Sequence, residues 1–271
     1  MKFARLLPAV GLLALLLAFG PGSSVLSGQN DDTPHHNYEP EPGDRLPDIK
    51  PVGPAHLPAG EWEVFVQDVE GTRLLRFDTY TANIGLGPLE VSYRTDEQDQ
   101  VLTNVWQRVY NPDYPRNRRR VRIDGGFEWH PTHSHFHFND YATYKLFRQN
   151  PDGSRGDLVV NGGKISFFLT DVYDYDPNLD PDNLYQVDFG GFENGRVQGI
   201  SLGKADEYYW GLEGQELDIT GLAAGIYILQ QVFDPTNRIA ELREGNNVLR
   251  VRMRLTQAGT VRICTRVAPL C

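Results

Sequence analysis

LRVRMRL, Leu249 to Leu255, is the stretch that decides the fold. Leu249, Val251, Met253 and Leu255 alternate with Arg250, Arg252 and Arg254. Successive side chains of a strand point to opposite faces, so this pattern is one buried and one wet face of an antiparallel strand. Upstream, Leu75, Phe77 and Thr79 alternate with Arg76, Asp78 and Tyr80, and turn residues Asn83, Gly85, Gly87 and Pro88 lead into Leu89 to Tyr93. Leu158 to Val160 and Ile165 to Leu169 flank Asn161-Gly162-Gly163, which reads as a hairpin turn. Gly225 opens a run from Ile226 to Phe233 that Asp234-Pro235 ends. No amphipathic helix longer than about three turns is found. The expectation is an all-β protein, an antiparallel β-sandwich core with long loops and little helix.

Composition agrees. The 271 residues include 27 Gly and 18 Pro, a turn-rich content, and 13 each of Tyr and Phe, which suit strands. Residues 1–28 read as a signal peptide. Lys2 and Arg5 precede an apolar run from Leu6 to Phe19, and small and polar residues follow. The run is short for a membrane span, and no other stretch could cross a bilayer. Residues 29–45, rich in Pro, Asp, Glu and Gly, read as a flexible leader, and 46–271 as one folded domain. An exported protein, extracellular or periplasmic, meets an oxidising space, where Cys264 and Cys271 can pair. The formal charge of −10 disfavours nucleic acid and anionic membrane as partners. The basic run Arg116, Arg118, Arg119, Arg120 and Arg122 reads as a solvated strand face.

Four of the seven histidines fall within WHPTHSHFH, Trp129 to His137. His133, His135 and His137 are spaced i, i+2, i+4, so on one strand all three point to one face. The outer pair would lie roughly 13 Å apart at about 3.3 Å per residue, a gap two imidazoles and one ion can span. The spacing predicts a transition-metal site held by these three, with His130 in a supporting place. Imidazole suits copper, zinc, iron and nickel, so spacing leaves the metal open.

The segment WHPTHSHFHFNDYATYKLF resembles the copper-binding segment of the lysyl oxidase family, W-H-x-x-H-x-H-x-H followed by a Y-x-L strand. Downstream, Gly163-Lys164-Ile165-Ser166-Phe167 resembles the family's H-K-A-S-F, and Gly199 to Thr220 is similar to its G-L-S-P-G-C-Y-D-T-Y…D-I-T run. AGIYILQQVFDP and Glu241 to Asn247 match its closing strands. The resemblance implies copper at His133, His135 and His137. It also implies a lysine tyrosylquinone made from Lys164 and Tyr208. The quinone carbonyl would act as electron sink for a substrate amine, with Asp206 as candidate base. The implied reaction turns a primary amine, peptidyl lysine or a small amine, into an aldehyde with molecular oxygen as acceptor, releasing hydrogen peroxide and ammonia. Asp48, Glu241, Asn246 and Asn247 match the family's calcium positions, but Arg243 stands where an acidic residue is expected. Phe168, Lys204 and Gly214 stand at family cysteine positions. The acidic loop from Asp174 fails the EF-hand pattern, with Leu179 at the required Gly and Tyr185 at the closing Glu. Two other readings compete: a metal-stabilised β-sandwich adhesion or binding module without catalysis, and a three-histidine zinc hydrolase.

Overall fold

A computed structural model describes residues 38–93, 101–102, 104–113, 118–190 and 196–264. The signal segment 1–28, Arg116 and Cys271, and with Cys271 the expected disulfide, lie outside them. The described chain forms eighteen strands: β1 Ile49–Val52, β2 Val64–Val69, β3 Thr72–Phe77, β4 Thr79–Asn83, β5 Leu89–Tyr93, β6 Val101–Leu102, β7 Val105–Tyr110, β8 Arg118–Ile123, β9 Phe127–His130, β10 His135–Gln149, β11 Arg155–Phe167, β12 Tyr173–Asp174, β13 Val197–Ile200, β14 Lys204–Tyr208, β15 Glu216–Asp218, β16 Gly225–Phe233, β17 Val248–Leu255 and β18 Val261–Ile263. One short 3-10 turn, Glu244–Asn246, joins them. Every strand pairing is antiparallel. The all-β antiparallel expectation therefore holds.

Four sheets share one core. Their orders are β1-β4-β14-β12, β13-β5-β7-β8, β15-β3-β2, and β18-β17-β16-β10-β9-β6, with β11 also on β10. Ile49, Phe77, Leu89, Tyr144, Ala205, Leu217, Leu229 and Val251 come from all four and meet in a single apolar cluster. The alternation of Leu249 to Leu255 appears as read: Val251, Met253 and Leu255 are buried, and Arg252 points to water. Among the described residues no helix is long and apolar enough to cross a membrane.

Three local expectations change. Packing begins ahead of Leu46, because Tyr38 is buried against Leu46, Val109, Val121 and Ala240. Its hydroxyl donates to Asp44, which also takes Arg119 at 2.7 Å, so residues 38–45 are anchored rather than leader. Arg119 is accordingly no solvated side chain; its guanidinium also lies over the Tyr38 ring, 4.9 Å from the centroid. Finally, Asn161-Gly162-Gly163 is no hairpin turn. It lies inside β11, and the β10–β11 turn is made by Asn150 to Ser154, closed by Asn150 N donating to Ser154 O at 2.9 Å. Asn-Pro-Asp-Gly-Ser carries the Pro, Asp and Gly that a tight turn uses. At Gly163 the ladder instead takes up one extra residue, stepping from Thr143 opposite Lys164 to Lys145 opposite Asn161. That is a β-bulge, and Gly163 meets it with φ 80°.

A Cβ at Gly163 meets no atom within 4 Å, so a substitution there reports backbone strain alone. Gly163→Ala is expected to destabilise the fold by about 1–2 kcal/mol, the cost of a left-handed residue that is not glycine. A thermal or urea midpoint equal to that of the parent chain would contradict the bulge.

Candidate metal centre and its cavity

The histidine segment folds as a hairpin rather than one straight strand. His130 ends β9, Pro131 to Ser134 turn, and His135 starts β10 directly opposite His130. The turn is closed by the amides of His133 and Ser134, both donating to the His130 carbonyl at 3.1 and 2.9 Å, and Ser134 adopts φ 57°. The expectation of three histidines in register on one strand is therefore corrected: only His135 and His137 alternate on β10, and His133 comes from the turn. The turn brings His133 back over the strand, shortening the span that extended geometry would have required. It also brings in His130, whose ring stacks on those of His133 and His137 at 4.3 and 4.5 Å.

The ring nitrogens converge. His133 Nδ1 lies 3.2 Å and His135 Nε2 3.0 Å from His137 Nε2. Two nitrogens bound to one ion at about 2.0–2.1 Å sit roughly 3 Å apart, so these separations fit a shared metal. One ligand nitrogen each from His130, His133 and His137 also falls within 4.8 Å of the others. His137 belongs to both triplets. His130 has further partners in Thr132 Oγ1 at 2.9 Å and Glu213 at 3.7 Å.

Burial and crowding keep the rings of His133, His135 and His137 neutral. Desolvation, followed by the neighbouring imidazoles, lowers His137 to about 3 and His135 to about 4. His133 is lowered by burial and then by His130. A hydrogen bond to the Ser166 backbone holds the His137 ring. Neutral imidazoles with free lone pairs are the form a transition metal binds.

Beside the histidines opens a cavity of about 220 Å³ lined by Glu128, His130, His133, His137, Lys164, Ile165, Ser166, Tyr208, Glu213 and Gly214. The two residues expected to form an organic cofactor, on β11 and β14, thus share one wall with the histidines. Lys164 is half exposed and donates to Asp140 Oδ2 at 2.8 Å. Tyr208 is 7% exposed, stacks on Phe167 at 3.8 Å, and its hydroxyl accepts the Phe168 amide. Burial pushes its phenol well above the ordinary tyrosine range. Asp206 is not on the cavity wall. It lies two residues before Tyr208, fully buried, with the backbone amides of Glu207 and Thr170 as the donors that face its carboxylate. Desolvation raises its carboxyl far above the usual range. Reading the sequence missed Glu128, Glu213 and Asp140. The signal for Asp140 was Asn139-Asp140 interrupting an otherwise apolar strand, a dipeptide that tolerates positive φ.

Asp48, Glu241, Asn246 and Asn247 also come together, but not as an ion cage. Asp48, fully buried, accepts Arg243 Nε on one oxygen and Asn246 Nδ2 on the other, both at 2.6 Å. Glu241 accepts the Ile49 amide at 2.5 Å and Asn247 Nδ2 at 2.7 Å. Each of the four carboxylate oxygens accepts one hydrogen bond. The amide oxygens of Asn246 and Asn247 are buried without partners, yet two oxygens fall short of the six to eight that calcium takes. The residues as arranged do not fit calcium; the Arg243 guanidinium supplies the cation.

Two outcomes follow from this geometry. The unfolded chain protonates its histidines near pH 6.5, while the folded rings stay neutral until about 4 or below, so the unfolded state binds more protons between these limits. The buried histidines should make metal-free stability fall as pH drops from about 6.5 towards 5, against the opposite contribution of the buried Asp206 and Glu241 carboxyls, so the profile should be steeper in the wild type than in His135→Asn/His137→Asn. A wild-type profile with the same slope as the double variant over that window would contradict the buried neutral cluster. Arg243→Ala should cost about 1–2 kcal/mol, because a buried carboxylate loses one charged hydrogen bond to a partly exposed partner. Chelating calcium should leave the melting midpoint unchanged, and a chelator-sensitive midpoint would restore the ion.

Comparison with known proteins gives the family. A model of the lysyl oxidase family matches residues 90–264, a span that holds all four histidines, Lys164 and Tyr208. The chain is 28% identical over 256 residues to the pig protein-lysine 6-oxidase, covering 84% of this chain and 91% of that sequence. It is 27% identical over 256 residues to the human protein-lysine 6-oxidase, of which it spans 54%. Human lysyl oxidase homolog 1 is 31% identical over 170 residues, 60% of this chain and 26% of that one. The chain thus spans about half the length of the human protein-lysine 6-oxidase. Family span and site geometry agree: this chain belongs to the lysyl oxidase family.

Proposed function

We propose that this chain is an exported copper-dependent amine oxidase of the protein-lysine 6-oxidase type. The observation that carries the reading is the shared cavity: His130, His133, His137, Lys164 and Tyr208 line one space. A zinc hydrolase or an adhesion module has no use for a lysine and a buried tyrosine at that place. His133, His135 and His137 would hold copper, with His130 supporting them through its stacking and its bond to Thr132. Copper, together with a lysine tyrosylquinone made from Lys164 and Tyr208, would supply the two-electron oxidation of a primary amine to an aldehyde, with molecular oxygen as acceptor and peroxide and ammonia released.

The protein's own groups prepare that chemistry. Phe168 N and the Phe167 ring fix Tyr208 in one orientation, which limits where its ring can react. Glu128 and Glu213 give the cavity a negative mouth, suited to an amine that arrives as an ammonium ion. Peptidyl lysine and small primary amines both satisfy it. Asp206, buried beside Tyr208 and raised above the carboxylate range, is the proposed proton acceptor, since a base that works near neutral pH needs such a shift.

Copper-loaded protein should release peroxide from a primary amine such as a lysine peptide, and should yield a tryptic pair cross-linked between Lys164 and Tyr208. Chelation during maturation and Lys164→Ala should each lower the rate at least about 100-fold, the scale of losing a covalent catalyst. A loaded protein with neither peroxide nor the cross-linked peptide would end this reading.

A further inference from the structure

We propose that Asp140 is the positioning residue that holds the Lys164 amine at the cavity before any bond to Tyr208 is made; this rests on the functional reading above. The contact is direct, with Lys164 Nζ 2.8 Å from Asp140 Oδ2. An ordinary half-exposed ion pair contributes little and wanders, because both side chains give up rotamer freedom to form it. This one is built differently. The β10–β11 ladder breaks on both sides of the Lys164 pairing. From Phe138 opposite Phe167 it jumps to Ala142 opposite Ile165, two extra residues on β10, and after Thr143 opposite Lys164 it takes the extra residue at Gly163 on β11. Both irregularities re-aim side chains, and one of them contains Asp140.

Asp140 is held at φ 55° inside a strand, a left-handed conformation that a non-glycine residue adopts at a cost. Its neighbours keep it there. The Asn139 amide donates to Gly126 O at 3.0 Å, and the Asn139 side chain accepts the Gly126 amide at 2.8 Å. Arg238 donates to the Asn139 carbonyl. On the other side Tyr141 is fully buried, and its carbonyl accepts the Asp234 amide at 2.8 Å. The carboxylate therefore projects from a clamped backbone, and the lysine it holds is the one on the cavity wall with Tyr208. Among the described residues the charged hydrogen bond of this strained residue goes to Lys164, with the Arg238 charge behind it, and such an arrangement aims the amine.

The test uses Asp140→Gly, which removes the carboxylate while suiting the left-handed backbone, and Asp140→Asn, which keeps an acceptor without charge. In metal-free protein, Lys164 acylation by an amine-reactive reagent, read by peptide mass, should be several-fold faster in Asp140→Gly than in the wild type. In copper-loaded protein, the initial rate of Lys164–Tyr208 cross-linking should fall at least tenfold in Asp140→Gly and less in Asp140→Asn. Melting midpoint and copper stoichiometry should stay at wild-type values. A wild-type cross-linking rate in either variant overturns the role of Asp140, and Asp140→Asn decides alone if the glycine variant does not fold. A wild-type chain that forms no cross-link overturns the functional reading and this inference with it. Unchanged acylation overturns the ion pair by itself.

Discussion

The register of β10 is the constraint on which the site depends. Phe138, Tyr141, Ala142, Tyr144 and Leu146 on this strand are at most 2% exposed. The strand pairs with β9 and β11 near its start and with β11 and β16 further along. A slip of one residue would put Thr143 and Lys145 in the places that Ala142, Tyr144 and Leu146 fill on one face, so the core fixes the register. His135 and His137 inherit their positions from it, as do His130 and Glu128 across the hairpin. The metal centre needs no scaffold of its own; it is the end of the strand that organises the core.

Departures from regular pairing then aim what the register has placed. A tight turn with Ser134 left-handed returns His133 over the strand. A two-residue irregularity presents Asp140, and a glycine bulge presents Lys164. Electrostatics follow the same division. The rings of His133, His135 and His137 are kept neutral by burial and by the neighbouring imidazoles, and the cavity lining carries the carboxylates of Glu128 and Glu213. Neutral ligands inside and acids at the rim suit a cation-binding centre that admits a charged amine.

Much of this was legible in the sequence, for reasons that differ by residue. The alternation from Leu249 to Leu255 gives its strand directly because one face is buried and the other wet. The histidine spacing exposes the centre because four imidazoles in nine residues have no other economical use. Yet it misassigned His133 to a strand, since period-two spacing cannot tell a straight strand from a tight turn whose Pro131 and Ser134 sit among the histidines. Asn161-Gly162-Gly163 misled for a related reason: glycine serves a bulge as well as a turn, and only the partner strand decides which. Tyr38 and Arg119 were hidden because their contacts are with residues distant in sequence. Arg243 was visible as a misfit to calcium, and the structure gives that misfit a role as the partner of Asp48.

The central claim is that this hairpin holds copper beside Lys164 and Tyr208. Electron paramagnetic resonance of the copper-loaded protein tests it most directly. About one Cu²⁺ per chain, with nitrogen couplings from about three imidazoles that are lost in His137→Ala, is the predicted result. A copper spectrum unchanged by His137→Ala, or no specific copper uptake at all, would contradict it.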